Sequence, residues 1–218
     1  MSDDELYKKL SAELDIIREE VVNLREKQHM FWELQKIIGA NQDINVSNEF
    51  YDWIEEIYAT SMSVAIRRQV DGSKDSISFR RFLEEVGRHP CVVTRKRYST
   101  FFSSSSAESI KSDFDGLVGA GRDYMDPSEV ECDLNTLKGK AGSVQTYANS
   151  WVAHRTKGAT AGPTTLGDID AAVEGLERLL KKYLHLFRSE IVTDSLLPVV
   201  IGNWKAIFRV PWIRAAPH

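Results

Sequence analysis

The chain has 218 residues, 42% apolar and 28% charged, enough to bury one sizeable core without requiring a second domain. Its net charge of −4 and pI near 5.8 exclude a protein that coats nucleic acid non-specifically, but leave room for a local basic patch. Cys91 and Cys132 stand far apart with no Cys or His nearby at metal-ligand spacing. Neither a zinc site nor a disulfide framework is expected, and both cysteines read as buried thiols in a reducing compartment. No signal peptide precedes Asp3-Asp4-Glu5, and the apolar run from Leu196 to Ile201 is too short to span a bilayer. The expected setting is the cytoplasm, with no membrane partner and no cofactor.

From about Ser2 to Ile38, Leu6, Leu10, Leu14, Ile17, Val21, Leu24, Phe31, Leu34 and Ile38 recur at helical spacing. Ser2 caps this helix, the carboxylates after it suit the positive end of the dipole, and Gly39-Ala40-Asn41 ends it. A helix this long either packs along a bundle or projects and pairs with another chain. Ser47 or Asn48 caps a second helix running to about Val70, whose buried side is expected to be Phe50, Trp53, Ile54, Ile57, Tyr58, Met62, Ala65 and Ile66. Arg67 and Arg68 lie in its last turn, where arginines commonly serve the dipole and salt bridges. A turn at Ser73-Lys74-Asp75-Ser76 leads to a short helix from Ser78 to Val86.

The middle, Gly87 to Asp126, is the least regular part. Arg95-Lys96-Arg97-Tyr98 and then Phe101-Phe102 set cations beside aromatic rings. Such a cluster is either an RNA contact or a solvated helix start with its rings in the core. Ser103 to Ser106 reads as a loop before a helix from about Ala107 to Leu117. Asp126-Pro127 then opens a helix from Ser128 to Arg155, with Val130, Leu134, Leu137, Ala141, Val144, Ala148 and Trp151 on one face. Continued at about 100° per residue, that spacing puts Tyr147, Trp151 and His154 on the edge of the apolar stripe. His154 then either serves the helix terminus or does chemistry. Thr164 or Thr165 caps a last long helix carrying Leu166, Ile169, Val173, Leu176, Leu180, Tyr183, Leu184, Phe187 and Ile191. The short linker favours an antiparallel pair of helices at residues 128–155 and 165–190 as the centre of the fold. The tail, 191–218, is rich in aromatic residues and is expected to pack on the bundle or on a dimer partner.

The phrase Tyr147-Ala148-Asn149-Ser150-Trp151-Val152-Ala153-His154-Arg155 resembles the signature region of HEPN domains, in the branch named for abortive-infection protein U. Arg67-Arg68-Gln69-Val70-Asp71 and Ser78-Phe79-Arg80-Arg81-Phe82-Leu83 look like the same branch. The resemblance covers most of the chain and implies an all-α HEPN-like bundle over residues 1–190, dimeric, with its histidines meeting across a two-fold cleft. It also implies a metal-independent ribonuclease or toxin of a phage-defence or toxin–antitoxin system, with RNA as substrate and an antitoxin protein as partner. The usual signature carries an Arg shortly before the His. Here the candidate positions hold Tyr147, Ala148 and Asn149. In the enzyme reading His154 is the general acid or base, while Asn149 and Arg155, or Arg67 or Arg68 replacing the signature Arg, hold the phosphate. The alternative is a catalytically silent dimeric HEPN module that binds or regulates. A plain helical scaffold is the third reading.

Overall fold

The computed structural model describes residues 1–102, 106–153, 164–197 and 202–210. These residues build a helical bundle, with one isolated antiparallel bridge between Thr94 and Tyr124 as the only pairing of extended backbone among them. The first helix, α1 (Asp3–Ala40), opens with a reciprocal capping box: Ser2 Oγ accepts from the Glu5 amide, and the Glu5 carboxylate accepts from the Ser2 amide. At 1.5 Å per residue it is about 57 Å long. Leu6, Leu10, Leu14, Ile17, Val21, Leu24, Phe31 and Ile38 are buried along this length, so the helix lies on its own bundle from end to end. The one polar residue in the buried stripe, Gln28, is matched by Asp170, to which its side-chain amide donates.

The centre of the bundle is α7 (Leu166–Arg188). Thr165 and Asp168 form a second capping box at its start, and Ser189 ends it in the left-handed region at φ 55°. Ile169, Val173, Leu176, Leu180, Tyr183, Leu184 and Phe187 are all buried, and so are Leu179 and Leu186 to one side of that stripe. So wide a buried face needs more than one neighbour, while Glu174 and Arg178 on the opposite side are exposed. Its most extensive neighbour is α6 (Pro127–Tyr147), opened by Asp126 with Pro127 in the first turn. Gly175 lets the two approach, because a Cβ there would lie 3.3 Å from Lys140. Lys182 and Tyr183 both reach Asp133, at 2.7 and 2.9 Å. On the other side Arg188 meets Asp15 at 2.6 Å, Arg25 meets Glu177 at 2.8 Å, and the Tyr7 and Phe187 rings stack on one another.

The remaining helices are α2 (Glu49–Gln69), capped by Asn48, α3 (Phe79–Arg88), capped by Ser78, the five-residue α4 (Arg95–Ser99), and α5 (Ala107–Val118), capped by Ser106. Of the α4 cations only Lys96 is exposed, while Arg95 and Arg97 are largely covered and held by Asp115 and by Asp4, and Tyr98 is buried. Among the described residues no helix is long and apolar enough to cross a membrane, and no group of His, Cys, Asp and Glu is arranged to hold a metal.

Four expectations are corrected. Both cysteines are exposed, because Cys91 lies on a surface turn and Cys132 falls off the buried face of α6. Phe50, Trp53 and Ile57 are 46%, 54% and 48% exposed, since the core accepts only the α2 side that carries Tyr58, Met62, Ala65 and Ile66. Ile191 is exposed because α7 ends at Arg188, before another turn can bring it round. The helix expected to run to Arg155 stops being α-helical at Tyr147 and continues as a π-helical turn, Ala148–Ala153. His154, Arg155, the linker to Pro163, Ser103 to Ser105 and Trp212 lie outside the described residues.

Candidate functional site

The last turn of α2 and the π-helical turn after α6 form one surface. The α2 helix ends at Gln69 with Val70 as C-cap, and the chain turns at once through Asp71 and Gly72. The Arg80 guanidinium fills the space where a Gly72 Cβ would stand, 2.7 Å from it, so a side chain there would force Arg80 to move. Ser78 closes the loop by donating its hydroxyl to the Asp71 carbonyl at 2.6 Å, while its oxygen caps α3 by accepting from the Arg81 amide. The sequence between Arg67 and Arg81 therefore forms a small, internally bonded turn that fixes where α2 ends.

Arg67 and Arg68 leave that last turn in different directions, because adjacent helical residues point about 100° apart. Arg68 crosses to α1 and pairs with Glu20 at 2.6 Å. Arg67 turns to the signature segment, where its Nε donates to the side-chain oxygen of Asn149. Both partners are exposed, so this guanidinium remains open to solvent and to a ligand. Asp71 lies close enough to feel its charge. Burial pushes the Asp71 carboxyl up, but hydrogen bonds from the Ser73 amide and hydroxyl, together with Arg67, bring it below the ordinary carboxylate value.

Asn149 is presented by the π-helical turn. An α-helix continued from Val144 would keep the 3.6-residue period, whereas a π turn bonds i to i+5 and widens the coil, changing where each later side chain points. Ala148 remains buried beneath Asn149, which anchors the turn to the bundle. Of the five candidate residues, Arg67 and Asn149 are thus brought together, Arg68 is tied elsewhere, and His154 and Arg155 lie outside the described residues.

This geometry meets the matching family. Residues 7–207 match the HEPN_AbiU2 family, described as AbiU2. The chain belongs to that family. No curated protein and no solved structure matches it. Its standing as a HEPN protein of the AbiU2 type, with the abortive-infection association that name carries, agrees with the all-helical fold. In this AbiU2-family chain a guanidinium from another helix, α2, reaches the signature segment.

A second polar cluster was not anticipated. The Tyr98 hydroxyl donates to Asp113, and His185 Nε2 lies 2.9 Å from that hydroxyl and 3.1 Å from the same carboxylate. Burial, then the Asp113 bond and charge, raise the Tyr98 hydroxyl above its ordinary value. The cluster ties α4, α5 and α7 together. No spacing in the sequence signals it, since its members lie on three separate elements.

Proposed function

We propose that this AbiU2-family protein is a metal-independent endoribonuclease, acting as a toxin in phage defence, in which Arg67 supplies the charge missing from the positions before His154. The observation that carries this reading is the hydrogen bond from Arg67 to Asn149. Asn149 stands five positions before His154 in the chain, at one of the places where the family signature keeps an Arg. A guanidinium fixed there offers its remaining N–H donors to a phosphate, and a planar fork suits that ligand.

In this mechanism His154, as base, accepts the proton of an RNA 2′-hydroxyl. The 2′-oxygen forms a bond to phosphorus, the bond to the 5′-oxygen breaks, and that leaving oxygen receives a proton from the partner's histidine across the dimer cleft. The products are a 2′,3′-cyclic phosphate and a 5′-hydroxyl, and no metal is needed. Arg67 and Asn149 hold the phosphoryl oxygens as negative charge grows on them. An unperturbed imidazole titrates near pH 6.5, so it can act in either role at neutral pH. Homodimerisation follows the family resemblance, an antitoxin protein is its expected protein partner, and the cytoplasm is its expected compartment.

The test is incubation of the purified chain with mixed RNA and EDTA. Wild type should cleave, His154→Ala should lose about 10²–10⁴-fold, and Arg67→Ala should lose more activity than Arg68→Ala while melting as wild type does. Wild-type protein that leaves all RNA intact, alone and as a dimer of measured mass, would instead support the catalytically silent module, which the missing signature Arg favours.

A further inference from the structure

The first half of α2 presents apolar surface that the bundle does not use. Phe50, Trp53 and Ile57 fall on one stripe of the helix and are about half exposed. Trp53 and Ile57 form a ridge between two depressions. One, of about 480 Å³, is floored by Phe31, Leu34 and Tyr58 and bounded by Trp204 of the C-terminal 3-10 turn (Trp204–Arg209). The other, of about 380 Å³, lies on the far side of the ridge and is edged by Glu56. Two concavities flanking an apolar ridge have the shape that takes the apolar face of an amphipathic helix.

The charge of α2 selects the occupant, the single cation lining either depression, Lys27, lying on the α1 side of the larger one. From Glu49 to Ile66 the helix carries Glu49, Asp52, Glu55 and Glu56 and no Lys or Arg. Glu49 and Glu56 fall directly beside the stripe, with Asp52 next round the helix. None of the four carboxylates pairs with a cation among the described residues, although pairing is common elsewhere on this surface. Glu49 and Asp52 suit the helix start, but Glu55 and Glu56 lie beyond its first turn. A second copy laid antiparallel on this face would set these carboxylates against their own counterparts, which is repulsive.

We propose that this face docks a basic amphipathic helix of another protein, its apolar side chains straddling the Trp53–Ile57 ridge and its Lys or Arg residues meeting Glu49, Asp52 and Glu56. This surface is separate from Arg67 and Asn149 and does not depend on RNA cleavage.

The test uses the full chain and two fluorescent probes, a Leu/Lys amphipathic peptide of about five helical turns and a Leu/Glu peptide with the same apolar face. Anisotropy should show the basic peptide binding at least about tenfold more tightly, with the preference shrinking at high salt. Trp53→Ala and Ile57→Lys should each weaken it by about tenfold or more, as truncation of a central apolar anchor does. Glu56→Lys should remove the preference for the basic peptide, while Glu131→Lys, on α6, should leave binding unchanged. Equal binding of the two peptides would overturn the proposal. So would insensitivity to Trp53→Ala, or an equal effect of Glu131→Lys. Self-association abolished by Ile57→Lys would reassign the face to a second copy and also overturn it.

Discussion

Arg67, in the last turn of α2, donates from Nε to the side-chain oxygen of Asn149, in the π-helical turn that follows α6. This single bond joins segments 82 residues apart and brings a permanent positive charge to the stretch Tyr147-Ala148-Asn149, which has none of its own. Both groups are exposed. Replacing either should therefore change stability by no more than about 0.5 kcal/mol. RNA binding should respond differently. Arg67→Ala should weaken binding to an RNA oligonucleotide and lower the slope of log affinity against log salt by about one. Arg67→Lys should restore the slope but not the full affinity, because an ammonium lacks the planar fork. Salt titrations that give identical slopes for wild type and Arg67→Ala would remove Arg67 from the phosphate site.

Glu177 holds the tail to the bundle. It is 6% exposed, accepts the Leu196 amide at 2.8 Å, and pairs with Arg25 at 2.8 Å and Lys181 at 3.1 Å. Glu177→Ala should cost about 3 kcal/mol, since it strands the Arg25 charge in a partly dry site. Amide exchange at Leu196 should rise with it. Denaturant melts and hydrogen exchange of the variant check both parts, and a loss below about 1 kcal/mol would mean the pair behaves as a surface bridge.

Thr165 caps α7 by accepting from the Asp168 amide at 3.0 Å, and Asp168 returns a bond to the Thr165 amide at 3.0 Å. Because α7 contributes the most buried face of the bundle, its start matters to the whole fold. Thr165→Ala should cost about 1 kcal/mol and Thr165→Ser much less. Urea midpoints at unchanged slope are the measurement.

Stability should fall at both ends of the pH scale. The Lys205 bond holds the Glu33 carboxyl down from 4.5 to about 2. Bonds from Arg95, from Ser128 and from Thr165 hold Asp115, Asp126 and Asp168 below their ordinary 3.8. A depressed folded pKa means that the folded chain binds fewer protons, so this stability is present above pH 4.5 and is lost as pH falls toward about 2. Burial raises the hydroxyls of Tyr7, Tyr58, Tyr98 and Tyr183 above 10.0. Their contribution is present below pH 10 and is lost above it. Melting temperature plotted against pH should be flat between about pH 5 and pH 9, with a drop on each side.

Cys91 and Cys132 are exposed, so both should react with a thiol reagent in the native protein without denaturant. Slow titration of either, released only by denaturant, would contradict that exposure.

The elements themselves were legible in the sequence. Ser2 with Glu5, Asn48, Ser78, Asp126-Pro127 and Thr165 mark helix starts by local chemistry, and the 3.6-residue recurrence in α1 and α7 marks the faces that are buried. Local signals of this kind act over a few residues and need no partner to be read. The side of α2 was legible only in part: Phe50, Trp53 and Ile57 satisfy the same period as Tyr58 and Met62, and only the position of α1 and α6 decides which of them find a neighbour. The end of α6 followed the same logic, since apolar spacing does not distinguish an α turn from a π turn. The site shows the division most clearly. Sequence named Arg67, Arg68 and Asn149 as candidates, but adjacent arginines on a helix diverge by about 100°, and where each one lands depends on what the bundle packs beside it. Tertiary structure gave Arg68 to Glu20 and Arg67 to Asn149, because helix packing fixes which side chains meet across long stretches of chain.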